Sequence, residues 1–120
     1  MTDCRKEIYE ALKSVCDTVY MGYPERDVVL PMITYYEVVN VKDSKWIDSV
    51  DVQLDVYANS FEACIDLMQA ADAVMCGMHF DRTYTSPDSL SKEGKDLYHK
   101  ALNYRAKVDT YHGNIIHNFY

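Results

Sequence analysis

A strictly alternating segment that runs directly into an amphipathic helix constrains the fold of this chain more than any other feature. From Trp46 to Tyr57 apolar and polar residues alternate with a period of two, which predicts a strand with one buried face. Over residues 60–76 the apolar residues recur at helical spacing instead. Ser60 is a candidate N-cap and Gly77 a candidate helix stop, so the segment predicts a strand followed by a capped helix.

The two periodicities assign most residues of this segment to a face. In the strand, the buried parity comprises Trp46, Val50, Val52, Leu54 and Val56. The opposite parity comprises Asp51, Gln53, Asp55 and Tyr57. The apolar stripe of the helix comprises Phe61, Cys64, Ile65, Met68, Ala71 and Met75.

Further elements are predicted on both sides of this segment. They are a helix over residues 4–17 whose apolar stripe continues to Val19, a candidate short strand at 28–30, and strands over 32–41, 78–85 and 97–108. The last of these also fits a helix, because Lys, Ala and Leu favour one, but its alternation favours a strand. The prediction is an α+β fold with a single antiparallel or mixed sheet and two helices packed on one face, in the order αβββαββ.

Length and charge limit the class of protein. A chain of 120 residues has the size of one domain, and we expect residues 1–110 to form it and 111–120 to be an apolar tail. The net charge of −7 argues against non-specific binding to duplex DNA, which needs the opposite sign. The polar start does not resemble a secretory leader, so we expect synthesis and retention in a cytoplasm. The eleven tyrosines indicate either half-buried strand positions or a contact surface.

The cysteines and histidines are not spaced as in metal-binding or catalytic motifs. Cys4 and Cys16, like Cys64 and Cys76, are twelve residues apart. Such a pair lies about 18 Å apart along a helix and cannot share one metal ion. We therefore expect buried, reduced thiols. The histidines lie in no metal-binding motif, and the chain has no glycine-rich phosphate loop. These patterns predict no metal, no cofactor and no catalytic residue.

Four segments, in order along the chain, resemble the tail-completion (tail-terminator, head–tail joining) proteins of long-tailed bacteriophages. The first is the opening helix over residues 8–19, and the second is P-M-I-T-Y at 31–35, similar to the family's L-P-Y-I-x-Y strand start. The third is the strand and helix over 52–75, with a V-Y pair and then an E-A pair. The fourth is L-Y-H-K-A-L-N-Y-R at 97–105, similar to the family's final strand. The strength of the resemblance is the order of the segments.

The resemblance implies a structural subunit with no catalytic residues. It implies a ring, commonly of six copies, which caps the tail tube at its head-proximal end and contacts the head connector. The implied partners are further copies of the chain, the tail-tube protein and head connector proteins, with no membrane and no specific nucleic acid. The implied location is the tail of a virion, assembled in the cytoplasm of a bacterial host. Candidate interface residues are Tyr35, Tyr57, Arg82, Tyr84, Arg105, Ile115, Ile116, Phe119 and Tyr120.

The acidic face of the central strand has two interpretations. Asp51 and Asp55 share that face, about 13 Å apart, which is too far for a glycosidase pair. They form either a solvated strand face or the acidic lumen of a ring through which DNA passes without sticking. On a solvated face, replacing Asp55 with Asn changes stability little.

Two other functions stay open on the sequence. One is a small cytoplasmic α+β domain that binds a ligand or acts as an enzyme, with a pocket between sheet and helices. The other is an adaptor that binds a partner strand at a sheet edge. The apolar content of residues 115–120 has two interpretations as well: the tail packs on the chain's own core, or it docks on a neighbouring subunit or the head connector.

Overall fold

The computed structural model describes residues 4–22, 29–86, 91–92, 97–111 and 115–116. Within them the chain forms two helices and six strands. In chain order these are α1 (Arg5–Lys13), β1 (Val19–Met21), β2 (Met32–Lys42), β3 (Ile47–Ala58), α2 (Phe61–Gly77), β4 (Asp81–Thr85), β5 (Ser91–Lys92) and β6 (Tyr98–Asp109). The choice of a strand over a helix for residues 97–108 is confirmed by β6.

The strands form one mixed sheet in the order β1-β2-β3-β6-β4, with β5 also paired to β6. β1 and β2 are parallel, and the other neighbours are antiparallel. β3 pairs with β6 over the full length of both strands, from Ile47 opposite Asp109 to Ala58 opposite Tyr98. β4 and β5 therefore share the other side of β6.

Both helices pack on the same face of the sheet and enclose one hydrophobic core. α1 contributes Ile8 and Leu12, and α2 contributes residues one turn apart, such as Ala71 and Met75. The sheet contributes the predicted parity of β3, in which Val50, Val52, Leu54 and Val56 are buried. The predicted α+β class is confirmed, with both helices on one face, because each element buries a single apolar side.

Ser60 sets the start of α2. Its backbone is extended, with φ −142° and ψ 156°, and its Oγ accepts a hydrogen bond from the Ala63 N–H at 3.1 Å. Glu62 adds a negative charge in the first turn, where the helix dipole favours it. After Gly77, the N–H of Met78 donates to carbonyls of the last turn and closes the helix. The predicted cap and stop are confirmed.

The N-terminal region differs from its prediction. α1 ends at Lys13 instead of residue 17, and Val19 is a buried residue of β1 instead of a helical one. The residues after α1 include several with branched Cβ atoms, which disfavour a helix. Val19–Met21 gains a parallel pairing with Ile33–Tyr35 by leaving the helix.

The element order changes accordingly. The candidate strand at residues 28–30 lies partly outside the described residues, and its described part, Val29 and Leu30, is not in a strand. β1 takes its place in the order, and β5 adds a short strand that was not predicted. The observed order is αβββαβββ.

Two aromatic residues assigned to the core are exposed instead. Trp46 precedes β3 and is 54% exposed, and Phe61 opens α2 and is 52% exposed. Both lie at the end of an element, where its period no longer determines the direction of a side chain. Leu67, which the predicted stripe omitted, is buried on α2.

Three cysteines are buried as expected, and Cys76 is exposed, which corrects the expectation for that residue. Cys76 follows Met75 on α2 and lies about 100° further around the helix, away from the core. All four are free thiols. Burial raises the pKa of the Cys16 and Cys64 thiols, which keeps them protonated and poorly reactive.

Candidate interaction surfaces

The sheet has a second face that neither helix covers, which we call the open face. It carries the odd-numbered residues of β3 and β6, from Ser49 to Tyr57 and from His99 to Lys107. The polar parity predicted for the central strand therefore lies opposite the helices. Cross-strand register brings these side chains into rows, because residues directly opposite each other on paired strands share a face.

A buried polar cluster occupies one part of the open face. His99 Nε2 lies 2.7 Å from Asp55 Oδ1, and Gln53 Nε2 donates to both carboxylate oxygens of Asp55 at 3.2 and 3.3 Å. The Tyr57 ring stacks on His99, with centroids 4.6 Å apart and an interplanar angle of 9°. Asp55 is only 6% exposed. The expectation that Asp55 lies on a solvated face is wrong, because its carboxylate is buried and is hydrogen-bonded by neighbours on β3 and β6, as a buried polar group requires.

The second candidate lumen residue is paired as well. Arg105 Nε and an outer guanidinium nitrogen donate to Asp51 at 2.7 and 3.0 Å, a fork that joins β3 to β6. Hydrogen bonding to Asp51 raises the pKa of Arg105. Lys107 forms a further ion pair with Asp43 at 3.0 Å. The acidic residues of the open face thus sit among basic partners.

The candidate interface tyrosines occupy different environments. Tyr35 belongs to the core, and its hydroxyl donates to the Arg5 carbonyl at 2.9 Å, so its ring offers no surface on the folded chain. Tyr57 is half-buried in the stack on His99. Tyr84 is 53% exposed on β4. Of the three, Tyr84 alone presents a largely open ring.

Arg82 is drawn toward α2. Its guanidinium donates to Asp72 Oδ2 at 3.1 Å, and the hydroxyl of the buried Tyr104 donates to Asp72 Oδ1 at 2.7 Å. Burial, followed by the hydrogen bond to Asp72, raises the pKa of Tyr104. Asp72 therefore holds α2 to β4 and β6. Sequence reasoning missed Asp72, because a carboxylate on a helix has no local signal for a partner on a distant strand.

The C-terminal candidates are partly described. Ile115 forms an isolated antiparallel bridge with Val108 and packs, half-buried, against the core. The N–H of Ile116 donates to the Lys107 carbonyl at 2.8 Å. Phe119 and Tyr120 lie outside the described residues.

Exposed apolar residues concentrate where β2 leaves its neighbour β1. β1 pairs only with Ile33–Tyr35, and no other described strand lies on that side of β2. We call Val38–Lys42, the part of β2 that β1 does not reach, the β2 outer edge. Its three valines, Val38, Val39 and Val41, are between 40% and 52% exposed. The edge begins at a bulge between Glu37 and Val39.

An apolar groove lies at the end of β3 and β6. It has a volume of about 460 Å³ and is lined by Trp46, Ile47, Asp109, Tyr111 and Ile116. Trp46 and Tyr111 meet edge to face at 6.1 Å, and Lys45 Nζ lies 4.9 Å from the Trp46 ring centroid. A second cavity, of about 330 Å³, lies between the segment after α1 and residues 29–31.

Metal-binding clusters and membrane-spanning helices are both absent from the described ranges. No three or more His, Cys, Asp or Glu side chains there are grouped so that they could hold a metal ion. Neither described helix has the length and apolar character needed to cross a membrane.

Comparison with known proteins identifies the family. Residues 6–109 match the family model described as tail completion protein gp17. No curated protein sequence matches the chain. Among solved structures, a chain from the virion of a native gene transfer agent particle is 15% identical, with a TM-score of 0.58 over 85% of this chain and 91% of that chain. At this identity the likeness shows a shared fold.

The resemblance found in four segments of the sequence is confirmed by the family match. That match covers most of the chain. It begins at Lys6 in α1, includes all of α2, and ends at Asp109, the last residue of β6. The protein is therefore a member of the tail completion protein gp17 family.

Proposed function

We propose that the protein is a structural subunit of a phage or phage-like tail, and that six copies form a ring that caps the tail tube and joins it to the head connector. The single observation that carries this proposal is the family match over residues 6–109. The likeness to a chain from a gene transfer agent virion supports it at the level of the fold. The proposed location is the tail of the virion, with assembly in the cytoplasm of the host.

The proposed function works through contact surfaces and includes no enzymatic step. The two polar clusters described above support this, because each uses its polar groups to tie elements together. Asp55 joins β3 to His99 of β6, and Asp72 joins α2 to Tyr104 of β6. The exposed valines of the β2 outer edge and the exposed Tyr84 are the kind of surface that a protein partner covers.

We propose that the open face, with Asp51 and Asp55, lines the channel of the ring. Its charges are largely paired, as in the fork between Arg105 and Asp51. The chain as a whole carries a net charge of −7. A surface of this kind attracts a passing duplex weakly, which suits a channel that DNA must leave as easily as it enters.

Electron microscopy of assembled particles tests the proposal. The genes beside the one for this chain, which we expect to encode a portal, head connectors and a tail-tube protein, are expressed together with it, and the tails are imaged. We expect a ring of six copies at the head-proximal end of the tube. Copies along the whole tube, or particles that join heads to tails without this chain, contradict the proposal.

A further inference from the structure

We propose that neighbouring copies join edge to edge, with the β2 outer edge (Val38–Lys42) of one copy paired with β4 (Asp81–Thr85) of the next, so that one sheet continues from subunit to subunit. The inference rests on the proposed function, since it names the contact that closes the ring. It is carried by the backbone geometry of two strands at opposite sides of the same sheet.

The backbone of β2 points outward at alternate residues. Ile33 donates its N–H to the Thr18 carbonyl at 3.0 Å, and the Tyr35 carbonyl accepts from Gly22 at 2.7 Å, so both residues turn their backbone groups toward β1. In an antiparallel ladder this direction alternates along the strand. Lys42 pairs with an even-numbered residue of β3, as Ile33 and Tyr35 do, and thus also points away from β3. β1 ends before it reaches that level.

β4 has a matching outward edge. The Ser86 N–H donates to the Ala101 carbonyl at 2.9 Å, which turns Ser86 toward β6 and the preceding Thr85 away from it. Arg82 pairs with Tyr104, an even-numbered residue of β6 like the partner of Thr85, so its backbone points outward as well. No described strand lies beyond β4 on that side.

The two edges fit each other in direction and in side chains. Three antiparallel steps separate β2 from β4 within the sheet, so the two strands run in opposite directions. Copies repeated head to tail therefore bring β2 and β4 together as an antiparallel pair, without inverting either copy. Val39, Val41 and Tyr84 all belong to the open face, where an aromatic residue opposite β-branched ones is a favourable cross-strand pair.

Heterologous pairing also explains how both edges are protected. A strand edge with three exposed valines, beside which no other described strand lies, invites indiscriminate pairing, which proteins avoid by covering the edge. Pairing of β2 with a second β2 covers one edge and leaves β4 open, and it stops at a dimer. Pairing of β2 with β4 leaves neither edge open once the rotation closes, and such contacts generate rings.

Disulfide trapping distinguishes these arrangements. Val41→Cys and Tyr84→Cys are made separately in a Cys76→Ser background, because Cys76 is the exposed native thiol. The two variants, one with a size tag, are mixed, oxidised and run on a non-reducing gel, both as purified protein and in cells that assemble tails. We expect a covalent dimer that contains one chain of each kind. The control pair is Glu10→Cys on the exposed side of α1 with Tyr84→Cys, which we expect to remain uncrosslinked.

The other outcomes overturn the proposal. Homodimers of Val41→Cys indicate pairing of two β2 edges, and homodimers of Tyr84→Cys indicate pairing of two β4 edges. Cross-linking of the mixed pair no greater than that of the control pair, in both settings, shows that the edges do not meet.

A proline at the edge provides an independent test. Lys42→Pro removes an outward N–H and keeps the β3 ladder, whereas Lys42→Ala keeps that N–H and removes the charge. We expect both variants to keep the melting temperature of the parent, and only the proline variant to lose the mixed cross-link. Equal cross-linking of the two variants contradicts edge pairing.

The two proposals fail separately. If the chain is found at the tail end but the mixed cross-link does not form, the edge pairing is wrong and the tail function stands. If the cross-link forms but the chain is not in particles, the edge pairing stands and the tail function is wrong.

Discussion

Single polar residues tie together elements that are distant along this chain. Asp55 of β3 reaches His99, 44 residues later, and Asp72 of α2 reaches Tyr104, 32 residues later. Of these two partners, His99 is half-buried and Tyr104 is buried. Because an unpaired buried polar group is costly, these residues specify how the elements align, although each pair adds little net energy.

Asp55→Asn is expected to destabilise the protein. The amide keeps an oxygen acceptor but loses the charge that His99 and Gln53 face, and it turns a donor toward one of them. We expect a loss of about 1–3 kcal/mol in the free energy of unfolding. Urea titration measures it, with Asp51→Asn as the matched control, where we expect a much smaller loss because that ion pair is exposed and screened by solvent. Equal midpoints for the Asp55 variant and the parent contradict the buried cluster.

The raised pKa of Tyr104 predicts that the protein loses stability at alkaline pH. The folded-state pKa of this residue is raised by burial and by the hydrogen bond to Asp72, whereas in the unfolded chain it is about 10. The stabilisation is fully present below the unfolded-state pKa and is lost as pH rises from there toward the folded-state pKa. We expect the urea midpoint to fall more steeply above pH 10 in the parent than in Tyr104→Phe. Parallel pH profiles for the two proteins contradict this role.

At the scale of elements, a local sequence signal determines where α2 begins. The Ser60 Oγ accepts from Ala63, and no distant residue is needed for that contact. Ser60→Ala is expected to cost about 0.5–2 kcal/mol, and Ser60→Gly less, because glycine tolerates the extended cap geometry. Thermal unfolding followed by circular dichroism measures both. A larger loss for glycine than for alanine indicates that Ser60 acts through something other than the cap.

The segment after β6 gives a second prediction at the scale of elements. Deleting residues 114–120 removes the bridge between Ile115 and Val108 and the contact of Ile115 with the core. We expect a fall of several degrees in the melting temperature, as for a loss of about 1–2 kcal/mol.

A shorter deletion, of residues 117–120, keeps the bridge and provides the matched comparison. If the tail docks on a neighbouring subunit or the head connector, which is the second interpretation of its apolar content, the shorter variant keeps the larger share of the stability and still fails to join heads to tails. Normal joining by the shorter variant contradicts the expectation that Phe119 and Tyr120 are interface residues.

At the scale of the whole molecule, the net charge leads to a prediction about binding to DNA. A net charge of −7 predicts no salt-sensitive binding to random duplex DNA at physiological salt. Fluorescence anisotropy with a labelled duplex measures this, and a protein of similar size with a positive net charge is the control. Micromolar or tighter affinity that weakens with added salt contradicts the prediction and the proposed channel face.

Local periodicity by itself determined the class of fold. Three features could be predicted from the sequence because each depends on neighbours within a few residues. They are the alternation of Val50, Val52, Leu54 and Val56, the Ser60 cap and the alternation of β6. The order of the four family-like segments could be recognised in the sequence as well. At the ends of elements the periodicity no longer predicts burial or helix length. For that reason the predicted burial of Trp46 and Phe61 and the predicted end of α1 are wrong.

Only the tertiary structure decided which polar residues meet and which described strands lie at the edges of the sheet. The alternation of β3 places Asp55 on the side opposite the core, which favours a solvated side chain. Only the register of β3 against β6 brings Asp55 beside His99. The length of β1, which stops short of Val38–Lys42, likewise depends on a pairing between distant segments. Register and edge exposure arise from strand partners far apart in sequence, and no local pattern encodes that choice.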